Sequence, residues 1–133
     1  MEQQLLKAAL DLLSSRYPTS SGGVAALATE SGKILTSIAP EVKNDALSVC
    51  MEMGACLEAH KINEKITHSL CIYQESRNSP ILFLTPCGIC QERLAHWGGD
   101  VKVAVSTSDN ILLFKPLREL MPYHWSIVNG VAL

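Results

Sequence analysis

Apolar residues recur at helical spacing over Glu2–Arg16, where Leu5, Leu6, Ala9, Leu12 and Leu13 share one face and predict an amphipathic helix. The stretch Tyr17–Gly23, rich in Pro, Ser and Gly, ends it as a loop. Val24–Thr29 and Ile34–Ile38 read as strands joined by the turn Glu30-Ser31-Gly32-Lys33. A polar loop with Pro40 follows over Ala39–Ala46, and a second helix is expected from near Ser48 to about His60. Leu70–Gln74 reads as a short strand, and Glu75–Pro80 as a polar loop. Ile81–Leu84 is apolar throughout, which predicts a strand buried on both faces, stopped by Thr85 and Pro86. Cys87–Trp97 has a helical pattern ended by Gly98-Gly99-Asp100. Val101–Val105 and Ile111–Phe114 are strands around a Ser108-Asp109-Asn110 turn, and Pro116–Leu120 is a short helix with Pro122 beyond it. The tail to Leu133 is apolar without a clear period. Helices alternating with apolar strands imply a layered α/β domain with helices on both faces of a mixed sheet. No repeat and no linker divides the chain, so residues 1–133 are expected to form a single domain.

Composition narrows the function classes. The net charge is −2, with no basic patch and no run of like charges, so neither a nucleic acid nor a membrane surface is the expected partner. No segment approaches the ~20 apolar residues of a membrane span. The opening Met-Glu-Gln-Gln-Leu-Leu-Lys lacks the basic start and longer apolar run of a signal peptide, and a cytoplasmic location is expected. Five cysteines, an odd number, argue against a disulfide framework and for metal binding or buried thiols.

Two cysteine groups carry the candidate chemistry. Cys50-Met51-Glu52 is expected at the start of the second helix, and Pro86-Cys87-Gly88-Ile89-Cys90 follows a strand and opens the third. A helix N-terminus carries partial positive charge and unpaired N–H groups, which favour the metal-binding thiolate. Three thiolates on one zinc leave a fourth position for water, the arrangement of a catalytic site. Glu52 would lie in the same turn as Cys50, near that open position. There it can take a proton from water whose pKa zinc has lowered to roughly 7 and pass it to a ring nitrogen, and in a later, separate transfer protonate the leaving ammonia. Cys56 and Cys71 read as small core residues. A strand followed by C-G-x-C and a helix also fits a thioredoxin-like redox motif, which would leave Cys50 and Glu52 without a role.

C-x-E followed later by P-C-x-x-C resembles the zinc-dependent cytidine deaminase superfamily, in its small three-cysteine members, the cytidine and blasticidin S deaminases. The likeness extends to Ala25-Ala26-Leu27 before Gly32-Lys33, and to Arg118-Glu119-Leu120-Met121-Pro122. It implies a three-layer α/β/α fold around a mixed five-stranded sheet. It implies that Cys50, Cys87 and Cys90 ligate zinc, that Glu52 shuttles protons, and that the backbone around Met51 contacts the pyrimidine carbonyl. It also implies a homotetramer whose active sites are completed by neighbouring subunits.

This chain departs from the family pattern around that machinery. The sugar-binding Asn-x-Glu falls on Ala39 and Glu41, so Glu41 is kept as a substrate-binding residue and its Asn partner is missing. Ser21 stands where a pocket aromatic is usual. Met53 and Gln91 replace arginines that offset thiolate charge, and Arg93 is the nearest substitute along the third helix. The expected function is hydrolytic deamination of cytidine or another cytosine nucleoside, a small-molecule substrate. The alternatives are an aminopyrimidine antibiotic of the blasticidin S type or another aminated heterocycle as substrate, and a non-catalytic, zinc-stabilised nucleoside-binding domain.

Overall fold

Leu5, Ala9 and Leu13 are buried along one side of α1 (Glu2–Arg16), the helix the apolar spacing predicts. In the computed structural model, which describes residues 1–133, they pack on one face of a six-stranded sheet. The first strand, β1 (Gly22–Thr29), is buried over its whole length. Its side chains alternate as a strand requires. Val24, Ala26 and Ala28 join Leu5, Ala9 and Leu13 on the α1 face, whereas Ala25 and Leu27 enter a second apolar cluster on the other.

β1 pairs antiparallel with β2 (Ile34–Ile38) and with β3 (Ile66–Gln74). The tight turn between β1 and β2 puts Gly32 at φ +88°, a conformation in which a side chain is strained. Between β2 and β3 the chain makes a 3-10 turn at Asp45–Leu47 and then α2 (Met53–Ile62). β4 (Leu82–Leu84) pairs antiparallel with the later residues of β3, and β5 (Lys102–Ala104) runs parallel to its earlier ones. β6 (Phe114–Pro116) closes the edge antiparallel to β5. Five of the predicted strand segments enter the sheet, which is mixed, and the sixth meets it only at Phe114. Because β1 occupies one side of β3, β4 and β5 share the other, one after the other along it, so the sheet holds six strands rather than five.

α2, α3 (Gly88–Ala95) and the short α4 (Leu117–Leu120) contribute Ala55, Cys56, Ala59, Leu94 and Leu117 to the second cluster, opposite α1. Helices therefore cover both faces, as expected. No helix is long and apolar enough to cross a membrane.

Three expectations are corrected. The run Ile81–Leu84 is not a doubly buried strand: Leu82 is 37% exposed and Phe83 and Leu84 are half-buried. β4 pairs with one strand only, and side chains serve its other edge. Asn110 Oδ1 accepts from Phe83 N–H and Asn110 Nδ2 donates to Ile81 C=O, while Ser106 Oγ donates to Phe83 C=O. Ile111–Leu113 lie outside any strand, and the last strand starts at Phe114 instead. Asn110 turns the chain there with φ 52°. The second helix begins at Met53, not near Ser48, so Cys50 precedes it.

Candidate active site

Ser37 explains where α2 starts. From β2 its hydroxyl donates to Met51 C=O at 2.6 Å and accepts from Ala55 N–H at 3.0 Å. One side chain thus fixes the carbonyl before the helix and satisfies a free amide in its first turn. Glu52 is left at the N-cap, with Met51 and Cys50 in the turn ahead of it. The Met51 side chain lies on Gly23 of β1, where an added Cβ would come within 2.7 Å of Met51 Cε. Opposite, β4 is followed by Thr85, which is clamped to the segment after β5: Thr85 N–H donates to Ser106 Oγ and Ser106 N–H to Thr85 Oγ1. That clamp delivers Pro86 and Cys87 to the same place, and Gln91 Nε2 holds Pro86 C=O at 2.8 Å. Cys87 is the N-cap of α3 and Cys90 lies in its first turn.

The three thiols converge. The Sγ atoms of Cys50, Cys87 and Cys90 all lie within 4.8 Å of one another, and those of Cys50 and Cys87 are 3.2 Å apart. Sulfurs sharing one tetrahedral zinc stand about 3.8 Å apart, so this set fits one ion. Cys87 is exposed, Cys50 is half-buried and Cys90 is fully buried. Burial pushes the Cys87 thiol up, but the backbone N–H groups of Cys90 and Ile89 and the adjacent thiols outweigh it and bring it below its ordinary value. The hydrogen bond with Cys87, together with burial, raises the Cys50 thiol. Burial and the neighbouring Glu52 charge raise Cys90 further. Thiolates beside a carboxylate need a cation to hold them ionised, and a divalent metal supplies that charge.

Glu52 is 3% exposed and lines a cavity of about 210 Å³ with Cys50, Cys87, Met51, Cys71, Ala39, Leu84 and Thr85. A smaller cavity of about 110 Å³ on the flank of the cluster holds Arg93, beside Cys50, Cys90, Met53 and Ile89. Arg93 therefore lines a cavity together with two of the three thiols. Cys50, Met51, Glu52, Cys87 and Cys90 are brought together. Glu41 is not: it is exposed and outside the cavity lining, whereas Ala39 two residues earlier is part of it. Ser21 is exposed, and the Tyr73 ring lies beside Gly23, its hydroxyl donating to Glu75.

No protein-family model matches the sequence. The chain is similar to the crystal structure of the cytidine deaminase from Bacillus anthracis, at 47% identity over 97% of this chain and 92% of that one, with a TM-score of 0.94. The chain belongs to the cytidine deaminase family. The cytidine deaminases of Mycobacterium leprae and Burkholderia pseudomallei share its fold at 19% and 18% identity, with TM-scores of 0.70 and 0.71. They cover 90% and 92% of this chain, which spans 96% and 98% of theirs.

Sequence reasoning missed three residues that shape this cytidine deaminase site. Ser37 and Thr85 act through bonds to distant backbone, which leaves no local signature. Cys71 reads as core, and it is buried, but it also lines the cavity. Cys56 is core only, its thiol pushed up to about 12 by burial.

Proposed function

We propose that this protein hydrolytically deaminates cytidine or a closely related cytosine nucleoside, using one zinc ion held by Cys50, Cys87 and Cys90. The observation that carries the reading is the convergence of three thiols and the buried Glu52 on one cavity, in a chain 47% identical to a cytidine deaminase. Zinc, when bound, supplies a water molecule acidic enough to be deprotonated near neutral pH. Glu52 would accept that proton and deliver it to the ring nitrogen of the base as the hydroxyl adds to the amine-bearing carbon, then take the remaining proton of that hydroxyl and pass it to the departing amino group, which leaves as ammonia. Met51, whose carbonyl is fixed by Ser37, sets the backbone against the base carbonyl. The apolar wall of Ala39, Met51, Cys71 and Leu84 receives the flat ring. Glu41 is retained as a contact to the sugar, reached from outside the cavity.

The enzyme is further read as a homotetramer, supported by the exposed apolar side chains of Leu47, Val49, Leu57 and Ile89 on the metal-bearing face. Five free cysteines support a reducing, cytoplasmic compartment. Ala39 in place of the usual Asn favours testing a second reading, in which the pocket takes an aminopyrimidine antibiotic of the blasticidin S type.

The test is ammonia release by the zinc-loaded protein from cytidine, deoxycytidine, blasticidin S and simple aminopyrimidines. Cytidine is expected to be turned over, and Glu52→Gln is expected to keep zinc while losing at least about a thousandfold in kcat. Full activity in that variant would exclude Glu52 as the proton carrier. Silence across the whole panel would exclude the deaminase reading.

A further inference from the structure

α2 and α3 start together at the thiol cluster, and they also end together. His60 lies in the last turn of α2 and His96 is the C-cap of α3. Their ring centres are 4.8 Å apart, with the ring planes inclined at 49°. The Trp97 ring lies against both, 4.6 Å from His60 and 5.0 Å from His96. Both histidines are exposed, and they line a cavity of about 360 Å³ with Glu30, Asn63, Glu64 and Lys65. Glu64 is paired with Lys33 and Lys65 with Asp100. Glu30 accepts the Lys65 backbone N–H and has no counter-ion. Of the four histidines, His124 has both ring nitrogens engaged, by Ser126 and Glu92, and His68 has Nδ1 on Thr67. His60 and His96 are the two that make no hydrogen bond through either ring nitrogen.

We propose that His60 and His96 form a second metal site, which takes one divalent transition-metal ion of the Zn²⁺, Ni²⁺ or Cu²⁺ class and ties the ends of α2 and α3 together. Imidazole is the usual protein ligand for these ions. With about 2.1 Å from nitrogen to metal and ligand angles of about 90–110°, two imidazoles on one ion put their ring centres roughly 4.5–5.2 Å apart. The separation of 4.8 Å falls inside that range, and the inclined rings are not stacked face to face. Both side chains stand at helix C-termini, where free carbonyls carry partial negative charge and favour a cation. Glu30 adds a full negative charge to the same cavity. Core packing does not account for the pair, because both rings belong to exposed residues. The site is remote from the thiols. α2 has 10 residues, and a helix of that length measures about 15 Å from end to end. An ion here joins, at their far ends, the same two helices whose starts are gathered around Cys50, Cys87 and Cys90.

Nickel is the probe, added to zinc-loaded protein so that the thiols are already occupied. The parent is expected to take up about one Ni²⁺ per chain beyond its zinc at about 100 μM free nickel, by elemental analysis after equilibrium dialysis. In a Trp125→Phe background the remaining tryptophan is Trp97, and its fluorescence should be quenched over the same range of nickel. His60→Ala and His96→Ala each remove one ligand. Each is expected to weaken uptake at least about tenfold while keeping the zinc content and circular dichroism spectrum of the parent. Nickel should also raise the melting temperature of the parent and not that of either alanine variant. No nickel beyond the zinc overturns the proposal. So does uptake that an alanine variant retains to within about threefold, or uptake matched by release of zinc. None of these readouts involves turnover, so failure here leaves the deaminase reading untouched, and failure of that reading leaves this site standing.

Discussion

Cys87 and Cys90 carry the same thiol three residues apart, yet replacing each by serine should have different consequences. Cys87 is exposed and is the N-cap of α3, a position where serine is among the preferred residues. Cys87→Ser is expected to lose its zinc, from about one ion per chain to less than about a tenth by elemental analysis, and to melt no lower than the zinc-free parent. Cys90 is fully buried, so Cys90→Ser should lose zinc and also cost about 1–3 kcal/mol for a buried hydroxyl. A Cys87→Ser protein that retained stoichiometric zinc would show that the three-thiol cluster is not the metal site. At this scale the site was legible where its residues are contiguous. Cys50 with Glu52, and Cys87 with Cys90, are short-range patterns whose spacing has chemical meaning. Cys71 was legible only as an apolar residue in a strand, because its place in the cavity wall depends on which neighbour a β3 residue faces. Glu41 was read by its offset from Cys50, but the loop from Ala39 to the Asp45 turn carries it to the surface.

At the scale of elements, the start of α2 is the informative difference. Its pattern predicted a helix from near Ser48, but the helical path begins at Met53 because Ser37, eleven residues before Ser48, captures Met51 C=O and caps Ala55 N–H. A capping bond from another strand has no signature in the helix's own sequence, and the local capping residue, Glu52, makes no side-chain cap. The consequence reaches the chemistry, since Cys50 and Glu52 lie in the segment that this hydroxyl holds open. Ser37→Ala should therefore cost about 1–2 kcal/mol, a melting-point fall of about 3–6 °C, and should lower kcat as well as stability. Calorimetry with the zinc-loaded protein checks the first, and steady-state kinetics at a temperature where the variant is fully folded checks the second. Unchanged kcat there would mean that Ser37 supports the helix without supporting the site. The same logic explains β4. Its composition is that of a buried strand, but its outer edge is met by Asn110 and Ser106 side chains rather than by a strand, and these cannot cover Leu82.

On the scale of the whole molecule, one sheet divides two apolar clusters with different duties. The α1 side is closed: Leu5, Ala9, Leu13, Leu70 and Ile72 are buried in it and no thiol of the cluster faces it. The α2–α3 side carries the site and is left incomplete. Leu47 is 65% exposed, Leu57 is 53% exposed, and Val49 and Ile89 line the small cavity beside Cys50 and Cys90. Apolar side chains grouped around a functional opening are a cost to a lone chain and a gain once a second copy covers them. A specific interface buries about 800 Å² on each partner, more than these four side chains alone supply, so neighbouring surface must join them. Leu47 and Leu57 are the right probes, because neither lines a cavity with the thiols and neither enters the core. Light scattering of the native protein should give the mass of four 14.5 kDa chains. The Leu47→Asp, Leu57→Asp double variant should give a smaller assembly with an unchanged far-ultraviolet circular dichroism spectrum. A fall in its kcat/KM alongside would show that a neighbouring copy completes the mouth of the cavity. A native protein that is monomeric at working concentration and fully active would show instead that one chain suffices for the reaction.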